Sequence, residues 1–168
     1  SLPVLLYNNP GRTGYGMSQN LVERLCHDVE NIVGMKDSSG NLTETEEFIR
    51  RNRDVGFRVF CGKDTLIYAG LAVGAVGAVC STANFLPELV CSIYDRYMSG
   101  DLKGSLEAQF VLNPIRLEMD KSSFPVATKD YGNLLGRHLG NPYKPNLPSP
   151  DKEQKCLRAQ LVKAGFIK

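Results

Sequence analysis

Four short apolar runs constrain this chain more than any other feature. Each ends abruptly in polar residues, and each of the first three leads into a segment of helical pattern. The runs are VLLY (Val4–Tyr7), NIVGMK (Asn31–Lys36), FRVFCG (Phe57–Gly62) and AVGAVCS (Ala75–Ser81). Between them, Ser18–His27 reads as an amphipathic helix with Ser18 as its N-cap. Thr43–Arg53 carries its acids early and its bases late, as the helix dipole prefers. Leu66–Gly74 is a third helix. The strands are continuously apolar, which predicts a parallel sheet covered on both faces, with VLLY fully buried. The fold class is therefore α/β. After Asn84 the rhythm stops. Phe85–Met98, Leu102–Met119, Val126–Leu139 and Asp151–Ala164 read as helices, with Gly165 as a stop signal and a Pro-rich connector over His138–Pro150. The expected division is residues 1–84 against 85–168.

Composition narrows the function. The chain has 168 residues, 42% hydrophobic and 23% charged, with a net charge of +2. That is enough chain to bury a core. The basic residues are interleaved with acids, so no nucleic-acid partner is expected. No apolar run approaches the eighteen or so residues of a membrane span. The N-terminus lacks a charged leader and a long apolar core, so no signal peptide is expected either. The five cysteines form no CxxC pair and there are only two histidines, His27 and His138. A metal centre is not expected. Cys61, Cys80 and Cys91 lie in apolar runs and read as small buried hydrophobes. This usage suits a reducing compartment, so the expected location is cytoplasmic.

In parallel α/β folds the chemistry sits beyond the C-terminal ends of the strands. Those ends carry Tyr7-Asn8-Asn9-Pro10 with Arg12, then Lys36-Asp37-Ser38-Ser39-Gly40, then Gly62-Lys63-Asp64, then Ser81-Thr82-Ala83-Asn84. Lys36 closes an otherwise apolar strand. A lysine there must snorkel, pair or lose its charge. A neutral amine attacks a carbonyl and forms a Schiff base; a solvated strand-end lysine is the plainer alternative. Tyr7 reads either as a core ring with its hydroxyl at the sheet rim or as a proton carrier beside Lys36. Arg12, in a Gly-containing loop, offers a planar fork for a carboxylate, or is simply a surface arginine. Gly62 and Gly77 are expected to permit close backbone approach. Gly74-Ala75-Val76-Gly77 has the look of a dinucleotide fingerprint but precedes a strand instead of following one. A sugar-phosphate domain would show a Gly-rich loop opening a helix after a strand, and no good one is found.

YNNPGRTG, GMKDSSGN, FCGKD and GAVGAVCSTAN, in that order, resemble the dihydrodipicolinate synthase / N-acetylneuraminate lyase family of class I aldolases. FPVATKDYGNLLG and PDKEQKCLRAQLVKAGF resemble that family's C-terminal helices. The resemblance covers essentially the whole chain. It implies a (β/α)8 barrel of which this chain supplies strands five to eight and the helical extension. It implies that Lys36 condenses with the keto group of pyruvate or a related 2-keto acid, and that Tyr7 relays protons. Asn8 and Pro10 would shape the turn that holds Tyr7. Arg12 would place the second substrate, as in the synthase branch. Ser38, Ser39, Gly62, Val79 and Ser81 would line the substrate, with Lys63 and Asp64 as polar neighbours of Gly62. No cofactor is implied beyond the covalent imine. The co-substrate would be an aldehyde or a sugar acid.

DSSG after the lysine departs from the common synthase form, an acid then Ala or Ser, Thr and Gly. This keeps an aldolase of 2-keto-3-deoxy sugar acids beside the synthase reading. By the same resemblance strands one to four are absent, as though the chain were cut at Ser1. With them go a Gly-Thr-Thr-Gly-Glu type loop for the pyruvate carboxylate and a second relay tyrosine. A half-barrel exposes apolar edges. Homo-oligomerisation or pairing with the missing half is therefore expected. A catalytically incomplete half-barrel, which self-associates or binds keto acids without turnover, is the third reading.

Overall fold

A computed structural model of the chain describes residues 2–168. Ser1, where the sequence reading places the cut, lies outside the described residues. The chain divides into two compact units, Ser1–Cys80 and Ser81–Lys168. The division falls four residues before the one expected from sequence. The short 3-10 helix Ser81–Asn84 goes with the helical unit, because the Thr82 carbonyl accepts from the amides of Phe85 and Leu86.

The first unit is built on a four-stranded sheet in the order β1 (Val4–Asn8), β2 (Ile32–Asp37), β3 (Arg58–Cys61) and β4 (Gly77–Ala78), every pair parallel. Helices α2 (Gln19–Asp28), α3 (Leu42–Asn52) and α4 (Ile67–Ala72) connect the strands. Ser18 caps α2, its hydroxyl accepting from the Leu21 amide. Asn41 caps α3 in the same way through Glu44. The core joins Val22 and Cys26 of α2 and Phe48 of α3 to Met35 of β2, Val59 of β3 and Phe57, with Leu6 of β1 packed against it. Leu6, Met35 and Val59 are laterally paired residues on neighbouring strands. They mark one face of the sheet as the helix face.

Strand side chains alternate between faces. Leu5 and Tyr7, Gly34 and Lys36, and Phe60 therefore point the other way. Val4, Leu5 and Tyr7 are exposed by 41%, 49% and 50%. This corrects the expectation of a fully buried first strand in a sheet covered on both faces. Among the described residues of the first unit the helices pack on one face, and β1 is an edge strand paired with β2 alone.

Other boundaries differ for local reasons. The loop after β1 contains an unexpected single turn, α1 (Pro10–Thr13), begun by a proline at its first position and closed by Gly14 at φ +80. β4 is only two residues long. Backbone bonds from Val76 to Val59 and from Val79 to Cys61 flank it, and Gly74 just upstream sits at φ +101. A helix was expected from Leu66, but a 3-10 turn over Asp64–Leu66 comes first.

The second unit holds α5 (Pro87–Met98), α6 (Leu102–Met119), α7 (Val126–Leu134) and α8 (Asp151–Lys163). Its core contains Phe85, Leu86, Ile115, Met119, Tyr131, Leu157 and Leu161. Phe85 stacks on Tyr131 at 4.8 Å between centroids, and the Tyr131 hydroxyl donates to the Ile115 carbonyl. α7 stops well before the expected Leu139, because Gly136 turns left-handed at φ +76 and Arg137 bonds back to Gly132. Among the described residues no helix is long and apolar enough to cross a membrane.

Met35 is fully buried between β1 and β3. Met35→Ala is expected to lower unfolding free energy by about 2–5 kcal/mol, read by denaturant titration. A loss well under 1 kcal/mol would contradict this packing of the sheet.

Candidate functional site

The strand register brings the two residues of interest together. Tyr7 pairs directly with Lys36, and Lys36 pairs with Phe60 on its other side. Lys36 Nζ lies 4.6 Å from the centroid of the Tyr7 ring, within cation–π range. Both sit on the open face, close to the C-terminal ends of their strands.

Their immediate successors point to the helix face and do different work. Asn8 and Asp37 are both buried. Asn8 Nδ2 donates to Asp37 Oδ1 at 2.9 Å, and Asn8 Oδ1 accepts from the Met17 amide. Asp37 Oδ1 also accepts from the Ser39 amide. Asp37 Oδ2 accepts from the Ser39 hydroxyl and, at 2.6 Å, from the Thr45 hydroxyl of α3. The Ser38 amide bonds to the Asn8 carbonyl, and the Gly62 amide to the Asp37 carbonyl. Three consecutive strand ends are thus tied into one network. Buried polar groups persist only when partnered, and here the partners are the neighbouring strand ends, α3 and the Met17 amide ahead of α2.

On the open face, Tyr7 Oη accepts from Asn9 Nδ2 at 2.9 Å. Partial burial is the largest influence on the Tyr7 phenol and raises its pKa. The Ser38 hydroxyl, the charge of Lys36 and the Asn9 amide together outweigh it, and the phenol ends below its ordinary value. Gly62 explains the room around Lys36. A Cβ there would overlap Ser38 Oγ, lie 2.8 Å from the Asp37 carbonyl and 3.0 Å from Lys36 Cε. The expectation for Gly62 holds. At Gly77 a Cβ would meet the Phe60 ring only at ordinary contact, so close approach is not the reason for that glycine.

The remaining candidates are placed as follows. Ser38 faces Tyr7, while the Ser39 hydroxyl is engaged by Asp37 and by the Asn41 amide. Arg12 lies in the last turn of α1 with an exposed side chain. Val79 follows β4 and is 48% exposed; by alternation from the Cys61–Ala78 pair it shares the face of Phe60. Ser81 opens the 3-10 helix of the second unit. Lys63 precedes the 3-10 turn that contains the buried Asp64.

Cys61 is buried as expected, its thiol pushed up to about 11 by burial, and it donates to the Lys63 carbonyl. Cys80 is half-buried and Cys91 exposed, against expectation, and Cys26 is buried instead. His27 Nε2 pairs with Asp54 at 3.2 Å. Among the described residues no cluster of three or more His, Cys, Asp or Glu is placed to hold a metal. Sequence reasoning missed the roles of Asp37, Thr45 and Asn9. The signal was available for Asp37: it follows Lys36, so it must face the helices.

A family model described as the dihydrodipicolinate synthetase family matches residues 1–164. The chain is 32% identical to the 4-hydroxy-tetrahydrodipicolinate synthase of Methanopyrus kandleri, over 98% of this chain and 55% of that protein. It is 34% identical to the enzyme of the same name from Thermus thermophilus, over 98% and 55%. Among solved structures, dihydrodipicolinate synthase from Thermotoga maritima superposes with a TM-score of 0.93 at 26% identity, covering 99% of this chain and 57% of that one. A prophage protein of the dihydrodipicolinic acid synthase family from E. coli K12, solved in complex with pyruvate, gives 0.92 at 25% identity, covering 99% and 57%. The chain spans a little over half the length of these relatives.

Gly62→Ala forces the Asp37 carbonyl, Ser38 and Lys36 to move. A loss of about 1–3 kcal/mol in stability is expected, with a displaced Lys36 side chain visible in its NMR shifts. Unchanged stability and unchanged Lys36 shifts would show that the glycine is incidental.

Proposed function

The chain belongs to the dihydrodipicolinate synthetase family, and from that premise we propose that it carries the imine-forming centre of a class I lyase acting on pyruvate or another 2-keto acid. One observation carries this reading: Lys36 Nζ sits 4.6 Å over the Tyr7 ring on an open sheet face. The Lys36 amine attacks the keto carbon, the carbinolamine loses water, and a C=N bond replaces C=O. The protonated imine is itself the electron sink, so the proposed chemistry draws on no organic cofactor or metal. Tyr7 carries the proton that leaves or returns at the carbinolamine oxygen. A phenol held below its ordinary pKa suits that task near neutral pH. Ser38 is the hydroxyl beside Tyr7. Arg12 holds the carboxylate of the co-substrate, an aldehyde or sugar acid. Ser39, Gly62, Val79 and Ser81 complete the substrate contacts.

We place the four strands as five to eight of a (β/α)8 barrel. In support, the described residues after β4 form helices with no further strand, as the helical extension of such a barrel would. The relatives are nearly twice as long as the chain, and β1 has an unpaired edge. Activity on this reading belongs to the assembled barrel, in which that edge and the open face are covered.

The test is intact mass after incubation with pyruvate and borohydride, beside a Lys36→Ala control. With the missing half of a relative supplied, one reduced pyruvyl group is expected on the native chain and none on the control. An adduct that persists in Lys36→Ala, or none at all when the missing half of a relative is supplied, would overturn the reading.

A further inference from the structure

We propose that Asn9 is a positioning residue for Tyr7, fixing its hydroxyl and stabilising the phenolate through an amide hydrogen bond. The inference rests on the reading of Tyr7 as proton carrier. It starts from a side chain that forgoes its usual role. Asn9 is the N-cap residue of α1, where an asparagine ordinarily turns its carbonyl oxygen onto an amide of the first turn. Here the side chain makes no such bond. The turn is closed instead by the Asn9 backbone carbonyl, which accepts from the amides of Arg12 and Thr13 and from the Thr13 hydroxyl.

The released side chain turns back along the strand. Residues two apart share a face, so Asn9 reaches Tyr7 and not the helix-face network of Asn8. Its Nδ2 donates to Tyr7 Oη at 2.9 Å. The polarity of this bond matters. An amide N–H can only donate, so it favours whichever state of the tyrosine accepts more strongly, and that is the phenolate. Ser38 and Lys36 also favour the ionised form of Tyr7, so Asn9 adds a directed donor to surroundings that already suit the phenolate. A bond to the ionised form is stronger than one to the neutral form. Asn9 therefore lowers the cost of the moment at which Tyr7 has given up its proton, and it holds the hydroxyl at one place over Lys36.

The test is titration of Tyr7 by NMR on the chain labelled at tyrosine Cζ, with Tyr7→Phe assigning the signal. Asn9→Asp keeps the shape but removes the donor; Asn9→Leu removes the donor without adding charge. Circular dichroism checks that both fold. The Tyr7 midpoint is expected to move to higher pH in both variants. In the assembled barrel, pyruvate trapping is expected to slow by about ten- to a hundredfold. An unmoved Tyr7 midpoint in Asn9→Leu overturns the proposal, whatever Asn9→Asp or trapping shows, because the added carboxylate of Asn9→Asp raises the midpoint by its charge alone. A shifted midpoint in a protein whose native form never traps pyruvate sustains the hold of Asn9 on Tyr7, and it is the imine reading that falls.

Discussion

The hydrogen bond between Asn8 and Asp37 is the constraint on which the rest of the first unit depends. It joins the last residues of two parallel strands on the side that faces the helices. Through the Asp37 carboxylate it extends to Thr45 of α3, and through backbone bonds it reaches Ser38 and Gly62. Removing one member leaves buried donors and acceptors without partners, at about 1–3 kcal/mol each. The network fixes the lateral register of β1, β2 and β3 at the end that carries Tyr7 and Lys36. A slip of one residue would exchange the faces. Lys36 would enter the core, and Asp37 would enter the open side.

Alternation thus divides labour between neighbours in sequence. Tyr7 and Lys36 face outward, while Asn8 and Asp37 face inward, one residue further along. The outward pair takes its register from the inward pair. Gly62 on β3 supplies the clearance on one side of Lys36, and Asn9 supplies the directional bond to Tyr7. The open face also explains the apolar exposure of Leu5 and Val79. A strand that looks buried by composition is exposed here because the helices of its own unit pack on the other face.

Much of this was legible in residues. Helix positions follow from period, and Ser18 ahead of an amphipathic run is enough to mark the cap. Lys36 stood out because a charge at the end of an apolar run demands an explanation. What escaped was of two kinds. Periodicity is silent on glycine conformation, so the left-handed Gly136 ends a helix that apolar pattern alone prolongs. Apolar composition is silent on which face is covered, so the pattern of β1 alone predicts burial. Asp37 was readable in principle, because its neighbour Lys36 determines its face. The bond from Asn9 was not, because an asparagine before Pro10 predicts a cap equally well.

The account is tested most directly by a crystal structure of the pyruvate adduct trapped with borohydride. It predicts the new carbon bonded to Lys36 Nζ on the open face, beside the Tyr7 hydroxyl and over Gly62, with the Asn8–Asp37–Thr45 network undisturbed beneath. An adduct carried by Lys63, or by a Lys36 turned away from Tyr7, would contradict it.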